Sequence, residues 1–551
     1  MPSFRFPTWV TTIQLLLLPC LLLVRATAAP LQAPATAWRQ LNQPELHNAA
    51  IVGCQVHKPC LIPVAVTGAM PISLSVRNLP PGLRLDLSRQ MIVGRASSVG
   101  TSHVLLTASN AAGTTSEKIT LIVGRSQGVV ALTPPMGWNS YDAFGDSVTQ
   151  AEMLANARAV ARYLKPHGWQ YVVVDYCWFD PKAHDNNPNQ DAGEKLSIDQ
   201  YGRLLPAVNR FPSARGNLGF KPLAHAIHAM GLKFGIHIMR GIPRMAVEEN
   251  TPIAGSPYHA RDAADIHDTC GWCPFMYGVR NNAAGQAWYN SIFRQYARWG
   301  LDFVKVDDLS NLYHEAEIEE IHRAIALCGR SIVFSTSPGP TPVAKARNIA
   351  ANANMWRCTG DFWDNWKALY AAFDYQKLWF GHGGPGHWPD LDMLPLGILS
   401  VGNRSVGPMR RTNFTHAEQR TLLTLWCMGP SPLMLGGDFS HASLWERSLL
   451  TNDAVLAIDQ DPAGRQAVQA LSNPHEKILF KQLSNGSWAL GLFNCDPNSA
   501  IVTASWKLLG LQGRYTVKNL WSKTSLGTAV GAVSRRVAAH GAALLLLTKL
   551  P

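Results

Sequence analysis

The sequence predicts a multidomain α/β protein whose central part is a (β/α)₈ TIM barrel. With 551 residues, the chain is too long for one ordinary domain. Between about residues 130 and 440, short runs that are apolar on both faces alternate with helical stretches, which is typical of a buried parallel sheet. On either side of that part, short strands with turn signals replace this alternation. We therefore expect an N-terminal β-sandwich and a C-terminal antiparallel β-domain to flank the barrel.

The barrel prediction depends on a count of strand–helix units. The strand candidates are, in order, residues 135–141, 171–174, 234–238, 303–306, 331–334, 354–357, 389–393 and 433–436. Eight units fit a TIM barrel of ordinary length. A doubly wound sheet is the alternative, and it predicts a glycine-rich phosphate turn after the first strand. The segment Trp138-Asn139-Ser140-Tyr141 does not resemble such a turn.

The N-terminus reads as a signal peptide, residues 1–29, with Arg5 ahead of an apolar core and a small-residue cleavage site at Ala26-Thr27-Ala28. Its apolar run is too short for a comfortable membrane span, and no other segment is long and apolar enough to cross a bilayer. We therefore expect export to the periplasm or the exterior.

Three domains should follow the signal: residues 30–127, 128–448 and 449–551. Short alternating runs such as 72–76 and 119–123 make up the first, and the stretch from Leu79-Pro80-Pro81-Gly82 to Val123 resembles the Ig-like modules of exported bacterial proteins. Such modules usually serve as spacers.

Composition excludes several classes of protein. Hydrophobic residues make up 47% and charged residues 16%, which is globular rather than disordered. The formal net charge of +12 invites a nucleic-acid partner, but the lysines and arginines are scattered and no run of five occurs. We therefore expect neither nucleic-acid binding nor a membrane span, and the sequence predicts no oligomeric state.

The cysteines and histidines give no metal or cofactor motif. Cys54 with Cys60, and Cys270 with Cys273, could form disulfides in an oxidising compartment. A zinc site would need a second ligand pair at suitable spacing, and none is obvious. His382 and His387 flank a glycine-rich loop rather than a metal pattern. We expect no cofactor and no metal.

Charged and indole side chains follow the predicted strands, where a TIM barrel carries its chemistry. Asp175 follows the second strand, His237 and Arg240 the third, and Asp307 the fourth. Glycosidic cleavage needs one carboxylate against the anomeric carbon and one carboxylic acid at the leaving oxygen, while indole faces cover apolar sugar patches. The strand ends therefore favour a carbohydrate substrate.

Five motifs occur in order at these strand ends: 135–140 (PMGWNS), 174–175 (VD), 305–307 (KVD), 356–357 (WR) and 389–393 (PDLDM). The chain resembles glycoside hydrolase family 27, the α-galactosidase or melibiase family, over about residues 130 to 550. The resemblance implies an exo-glycosidase that removes terminal α-D-galactosyl residues by a retaining double displacement.

The same resemblance implies the catalytic pair. Asp307 matches the nucleophile, and strand alternation independently favours it over Asp308, because Asp307 faces the same side as Lys305. Asp361 matches the acid/base, four residues after Arg357, with Asp364 as a rival in the same loop. The implied sugar contacts are Trp138 as an apolar wall, Asp175, Lys305 and Arg357 at hydroxyls, and the positions of Tyr176 and Ser337.

Two departures concern the sugar rather than the reaction. Typical α-galactosidases of the family carry a second aspartate where this chain has Tyr176, and that aspartate helps bind the O4 and O6 hydroxyls. They carry a glutamate near the 2-hydroxyl where this chain has Ser337. The cysteine partners expected near Phe144 and at Leu309 are also missing.

Two alternatives therefore stay open. The same mechanism could act on β-L-arabinopyranosides, which lack C6 and suit Tyr176, or on α-N-acetylgalactosaminides, which suit the small Ser337. A different class, an inactive carbohydrate-binding protein, would be expected to lose a catalytic carboxylate, and both are present.

Overall fold

The computed structural model describes residues 42–183 and 195–551. The predicted signal peptide, residues 1–29, lies outside the described residues. Within the described ranges, no helix has the length and apolar character needed to cross a membrane. Every cysteine in these ranges is a free thiol, so the disulfides expected for Cys54–Cys60 and Cys270–Cys273 are not formed in this structure.

A small two-sheet β module precedes the barrel. Its strands are β1 (Glu45–Leu46), β2 (Ile51–Gln55), β3 (Cys60–Pro63), β4 (Val66–Thr67), β5 (Ser73–Arg77), β6 (Leu83–Asp86), β7 (Met91–Gly94), β8 (Gly100–Asn110) and β9 (Gly113–Gly124). Its two main sheets have the orders β2-β9-β8-β5 and β3-β7-β6, and β1 pairs with β4 in a separate two-stranded ladder. Alternate residues of both, such as Ile92, Val104 and Leu121, form a shared buried core.

The central part contains eight parallel strands, as the sequence predicts. The strands of this part are β10 (Met136–Asn139), β11 (Tyr171–Val174), β12 (Lys233–Met239), β13 (Ile242–Pro243), β14 (Ala264–Thr269), β15 (Met276–Val279), β16 (Phe303–Asp307), β17 (Val333–Thr336), β18 (Met355–Arg357), β19 (Trp388–Asp390), β20 (Ile398–Leu399), β21 (Arg410–Arg411) and β22 (Leu433–Leu435).

Eight of these strands form one parallel sheet with the order β19-β18-β17-β16-β12-β11-β10-β22. Its two edges meet through Leu394, which follows β19 and forms a parallel bridge with Leu435 of β22. The amide of Leu394 donates to Met434 O at 2.7 Å, and the amide of Gly436 donates to Leu394 O at 2.9 Å. The result is a TIM-barrel-like fold.

Helices follow the barrel strands. They are α1 (Tyr141–Phe144), α2 (Gln150–Ala159), α3 (Lys221–Ala229), α4 (Arg244–Glu249), α5 (Ala260–Ala263), α6 (Ala283–Trp299), α7 (Glu315–Leu327), α8 (Ala346–Asn352), α9 (Trp366–Leu378), α10 (His416–Met428), α11 (Leu444–Leu450) and α12 (Asp453–Asp459). A capping box of Thr149 and Glu152 begins α2 and satisfies free amides of its first turn. Gly300 ends α6 at φ 92°, a left-handed conformation that glycine adopts without a side-chain clash.

The C-terminal part is an antiparallel β-domain, as predicted. Its elements are β23 (Val468–Ser472), β24 (Glu476–Gln482), β25 (Trp488–Asn494), β26 (Ala500–Ser505), α13 (Trp506–Leu509), β27 (Arg514–Asn519), β28 (Thr524–Val530), β29 (Ala532–Val537) and β30 (Ala542–Lys549). Six strands form one sheet in the order β23-β24-β25-β30-β27-β28, and β26 pairs with β29. Buried side chains such as Leu490, Val502 and Leu545 form its core.

Candidate active site

The inward face of the barrel changes from apolar to charged along several strands. Side chains near the strand starts, including Tyr171, Phe303, Met355 and Trp388, form a buried cluster that fills the barrel. Because side chains alternate, the residues two and four positions after Phe303 point the same way, and these are Lys305 and Asp307. By the same rule, the side chain of Arg357 points the same way as that of Met355. The strand ends therefore carry charged groups into the barrel mouth above an apolar floor.

Asp307, the predicted nucleophile, is held on several sides. Its Oδ2 lies 3.0 Å from Nε2 of His237, and its Oδ1 accepts the amide N–H of Asp308 at 3.0 Å. The register between β12 and β16 pairs His237 with Lys305 and Met239 with Asp307, which brings the imidazole alongside the carboxylate. The Asp307 side chain is 14% exposed.

These contacts favour the ionised form of Asp307. Burial alone would raise the pKa of this carboxyl, but the hydrogen bond and charge of His237, the ammonium of Lys305 and the amide of Asp308 together hold its pKa well below the usual range. An ionised, immobile carboxylate is what a nucleophile at an anomeric carbon requires.

Lys305 pairs with Asp175 and lies on the same face of β16 as Asp307. Its Nζ lies 3.1 Å from Asp175 Oδ2, which also accepts a hydrogen bond of 2.6 Å from the Asn139 amide. Burial raises the pKa of Asp175, but the charge of Lys305 and further hydrogen bonds outweigh it, so the pKa is lowered. Asp175 and Lys305 can thus offer a fixed acceptor and a fixed donor to sugar hydroxyls.

Asp361, the predicted acid/base, has a different setting. It lies in the loop after β18, its side chain is 71% exposed, and its Oδ1 is 3.1 Å from Nη2 of Arg357. Arg357 is buried and also pairs with Asp392 through Nη1 at 2.8 Å. Asp392 in turn accepts the amide of Phe362 at 2.8 Å, so it holds the backbone next to Asp361.

The rival Asp364 is engaged elsewhere. It is buried, pairs with Arg410 at 2.6 Å, and accepts the amide of Asn413 at 2.7 Å. These contacts give Asp364 a structural role in fixing the loop after β18. They leave Asp361 as the acid/base candidate of this loop that faces the barrel mouth.

A cavity of about 300 Å³ joins these groups. Its lining residues are Tyr141, Asp142, Asp146, Asp175, Tyr176, Trp272, Lys305, Asp307, Pro338, Arg357, Asp361, Phe362, Trp363, Asp392 and Met393. This size lies at the small end of ligand cavities and suits one sugar ring rather than a long chain. Six of the eight predicted site residues therefore meet at one cavity.

Trp138 and Ser337 are placed differently. Trp138 is fully buried, and its indole N–H donates to Gly437 O at 2.8 Å. Ser337 is buried next to Pro338, which lines the cavity in its place. Neither side chain lines the cavity in this conformation, so direct sugar contact by Trp138 or Ser337 stays a prediction.

Tyr176 forms one wall of the cavity together with Trp272. Their rings meet edge to face with centroids 5.6 Å apart, and Tyr176 makes a similar contact with His237 at the same distance. The hydroxyl of Tyr176 donates to Sγ of Cys273 at 3.6 Å. The segment Cys270-Gly271-Trp272-Cys273 thus supplies an indole to the cavity, where the sequence suggested only a disulfide.

Several residues that line the cavity or contact its lining had no predicted role. His237 and Asp392 belonged to recognised strand ends, but their contacts with Asp307 and Arg357 depend on strand register. Asp142 and Asp146 follow the first strand, and both are buried with a carboxylate oxygen that has no hydrogen-bond partner among the described residues. Burial, followed by the charge of Asp175, raises the pKa of Asp146 to about 7. The signal available in the sequence was two aspartates in the segment that follows the first barrel strand.

Comparisons with known proteins identify the family to which the chain is similar. The family model "Alpha galactosidase A" matches residues 279–461, and "Alpha galactosidase C-terminal beta sandwich domain" matches residues 476–547. An α-galactosidase from Cyamopsis tetragonoloba is 28% identical over 76% of this chain and 86% of its own.

Solved structures give higher identity. A family 27 β-L-arabinopyranosidase from Geobacillus stearothermophilus is 47% identical, with a TM-score of 0.74, over 77% of this chain and 98% of that one. A proposed α-N-acetylgalactosaminidase from Bacillus halodurans is 43% identical, with a TM-score of 0.68, over 76% and 98%. On this evidence, the chain belongs to glycoside hydrolase family 27, the α-galactosidase family, and is a glycoside hydrolase.

Proposed function

We propose that this enzyme is a retaining exo-glycosidase that hydrolyses terminal α-D-galactosides. The observation that carries the proposal is the pairing of a buried, ionised Asp307 with a solvent-accessible Asp361 at one small cavity. Because apolar side chains fill the barrel beneath, a substrate enters from the rim only. That geometry favours a terminal sugar over an internal one.

The reaction proceeds in two displacements. In the first, an Asp307 oxygen bonds to the anomeric carbon while the glycosidic bond breaks, and Asp361 donates its proton to the leaving oxygen. In the second, Asp361 takes a proton from water, the water oxygen bonds to the anomeric carbon, and Asp307 leaves as a carboxylate. Two inversions at one carbon give net retention.

The remaining charged groups bind and orient the sugar. Lys305 keeps its charge, because the carboxylates of Asp175 and Asp307 outweigh the effect of burial and raise its pKa. Asp175, fixed by Lys305 and Asn139, accepts hydrogen bonds from sugar hydroxyls. Arg357 stays cationic between Asp361 and Asp392 and can donate to a hydroxyl next to the anomeric carbon.

Tyr176 favours a second candidate substrate, the β-L-arabinopyranosides. These sugars have the galactose configuration but lack the C6 hydroxymethyl group. Tyr176 is buried against Trp272 and His237 and presents a ring where typical α-galactosidases of the family have an aspartate. The aromatic ring of Tyr176 can face a sugar whose C5 carries no hydroxymethyl group. It provides no carboxylate that could bind O6 of galactose. The solved relative that is 47% identical is a β-L-arabinopyranosidase.

A third candidate, the α-N-acetylgalactosaminides, has weaker support. Ser337 leaves room because it is small, but it is buried behind the cavity lining. Support therefore comes mainly from the Bacillus halodurans relative.

Initial rates on three nitrophenyl glycosides test the proposal: the α-D-galactoside, the β-L-arabinopyranoside and the α-N-acetylgalactosaminide. The α-galactosidase proposal expects the highest kcat/KM on the α-galactoside. A preference for the arabinopyranoside selects the second candidate and keeps the mechanism. A folded enzyme that cleaves none of them contradicts the proposal and favours an inactive carbohydrate-binding protein.

Two variants of Tyr176 show what decides the sugar. Tyr176→Asp restores a carboxylate and should raise the ratio of galactoside to arabinopyranoside kcat/KM by about 10-fold or more, the value of one good hydrogen bond to a charged group. Tyr176→Phe is the matched control, since it keeps the ring. If Tyr176→Phe shifts the ratio as much as Tyr176→Asp, the hydroxyl rather than the ring sets the preference.

We also propose that the chain is exported, with residues 30–127 as an Ig-like spacer and disulfides at Cys54–Cys60 and Cys270–Cys273. The two-sheet organisation of residues 45–124 supports the spacer. Mass spectrometry of the mature enzyme should find an N-terminus near residue 30 and two fewer thiols per proposed bridge. An intact N-terminus at Met1 contradicts export, and unchanged thiol counts contradict the disulfides.

A further inference from the structure

A cluster of two histidines and one aspartate lies far from the sugar cavity. It comprises His47 of the N-terminal module, His167 before β11 and Asp453 at the start of α12, and we call it the junction cluster. The Oδ1 of Asp453 lies 2.7 Å from Nδ1 of His167 and 3.4 Å from Nδ1 of His47. One ligand atom from each residue lies within 4.8 Å of the other two.

We propose that the junction cluster binds a divalent transition-metal ion, Zn²⁺ in the first instance. Two imidazole nitrogens and a carboxylate oxygen are ordinary zinc ligands. In a tetrahedral site with bonds of about 2.0–2.1 Å, ligand atoms lie about 3.3 Å apart. Two of the three separations, 2.7 and 3.4 Å, lie on either side of that value, and the ligand atoms of His47 and His167 lie within 4.8 Å of one another. The two imidazoles stack with centroids 5.4 Å apart, so a metal requires them to turn toward a common point.

The orientation of His47 supports the proposal. Its Nε2 lies 2.8 Å from Oγ1 of Thr67, while its Nδ1 faces the carboxylate of Asp453. In the tautomer whose Nε2–H donates to Thr67, Nδ1 directs a lone pair toward that carboxylate and can bind a cation there; in the other tautomer, Nδ1–H donates to Asp453. Metal-bound histidines characteristically donate their other ring N–H to such an outer partner.

All three ligands stand on backbone that is already fixed. The amide of His47 donates to Ala65 O at 3.0 Å. His167 closes a 3₁₀ turn that ends at Gly168, and the side-chain amide of Asn452, next to Asp453, donates to Leu520 O at 3.0 Å. The side chains of the cluster are 11 to 28% exposed, so the site is partly desolvated but open to one solvent ligand.

A second cluster, Asp268 with His314 and Glu317, has similar spacing but already contacts a cationic side chain. The guanidinium of Arg240 already lies among its carboxylates, 2.7 Å from Asp268 and 2.8 Å from Glu317. A metal ion there would meet a buried positive charge. This contrast identifies the junction cluster as the metal site of the two.

The proposed ion would connect three parts of the chain: the N-terminal module, the barrel and the segment that leads to the C-terminal domain. Because it binds the folded arrangement and not the unfolded chain, it should stabilise this junction. The chain positions of the ligands, 47, 167 and 453, explain why no metal motif is visible in the sequence.

Calorimetric titration of the chelator-treated full-length enzyme with ZnCl₂ tests the proposal. One equivalent should bind to the wild type, and His47→Ala and His167→Ala should each weaken binding by at least about 100-fold. Thr67→Val should weaken it by about 10-fold, as expected for an outer partner. His314→Ala, from the second cluster, is the matched control and should bind as the wild type does.

Melting temperatures without metal, measured for every variant, separate loss of a ligand from loss of the fold. Cobalt substitution gives an independent readout, because the visible bands of a tetrahedral Co²⁺ site should appear in the wild type and vanish in His47→Ala. Equal zinc binding by wild type and His47→Ala would mean adventitious surface binding and overturn the proposal. Absence of binding to the folded wild type would overturn it as well and leave the cluster as a hydrogen-bonded triad.

Discussion

The two carboxylates proposed as nucleophile and acid/base stand in contrasting surroundings. Asp307, at the end of β16, is 14% exposed and is contacted by His237 and the amide of Asp308. Asp361, in the loop after β18, is 71% exposed and pairs with Arg357. Asp307 is therefore buried inside the barrel, and Asp361 is exposed at its mouth.

This difference corresponds to the two tasks in a retaining mechanism. A nucleophile must be ionised and fixed before the substrate arrives, and fixed positive charge near Asp307 achieves both. An acid/base must give a proton in one step and take one from water in the next, so it needs access to solvent. In the proposed mechanism, the buried Asp307 stays ionised, and the exposed Asp361 exchanges protons with solvent.

The largest expected effect comes from replacing Asp307, the buried carboxylate. Asp307→Asn keeps the shape of the side chain but removes the nucleophile, so kcat/KM should fall by about 10⁴- to 10⁶-fold. Azide added to the more compact Asp307→Gly should restore turnover and give a glycosyl azide of inverted configuration, which NMR can identify. A variant that keeps more than one-tenth of wild-type activity would remove Asp307 from this role.

A smaller effect is expected from replacing Asp361, the exposed carboxylate. Asp361→Ala should lower kcat/KM by about 10²- to 10⁴-fold on substrates with poor leaving groups, because general acid catalysis contributes that much. Nitrophenyl substrates should suffer less in the first step, since their leaving group needs little protonation. Azide should accelerate the second step and give a product of retained configuration. Asp364→Ala is the control, and a greater loss of kcat there than in Asp361→Ala would reverse the assignment.

Replacing His237 tests which contacts keep Asp307 ionised. His237→Ala should lower kcat by about 10- to 100-fold, because the nucleophile loses a positioning contact. It should also raise the pKa of Asp307, since the hydrogen bond and charge of His237 now lower it. Activity requires ionised Asp307, so the acidic limb of the kcat/KM profile should move to higher pH. His237→Gln keeps an N–H donor and should recover part of kcat; an unmoved acidic limb in His237→Ala would contradict this role.

The sequence predicted the parts of this site that depend on local rules. Short, doubly apolar runs located the barrel strands, and alternation placed Lys305 and Asp307 on the inward face. The ordered motifs then assigned roles to Asp307 and Asp361. The strand positions needed only local information, whereas the roles of Asp307 and Asp361 came from the resemblance to glycoside hydrolase family 27.

The remaining features depend on which distant segments meet. The contact of His237 with Asp307 requires the β12–β16 register, which joins residues 70 positions apart. Trp272 reaches the cavity through a loop that the sequence marked only by its cysteines. Burial of Trp138 and Ser337 likewise follows from packing around them, which no local pattern specifies.

The smallest expected effect concerns Asp146, a third kind of carboxylate at the same cavity. Burial and the charge of Asp175 raise its pKa to about 7, whereas an unfolded aspartate titrates near 3.9. The folded state therefore binds the extra proton between these pH values, and its stability falls as the pH rises through that window.

Asp146→Asn removes this penalty, so its melting temperature should exceed that of the wild type by about 2 °C at pH 8, with the difference vanishing near pH 4. Exposed Asp374→Asn on α9 is the control, and an Asp146→Asn difference that does not change with pH would mean that Asp146 does not titrate in the folded enzyme.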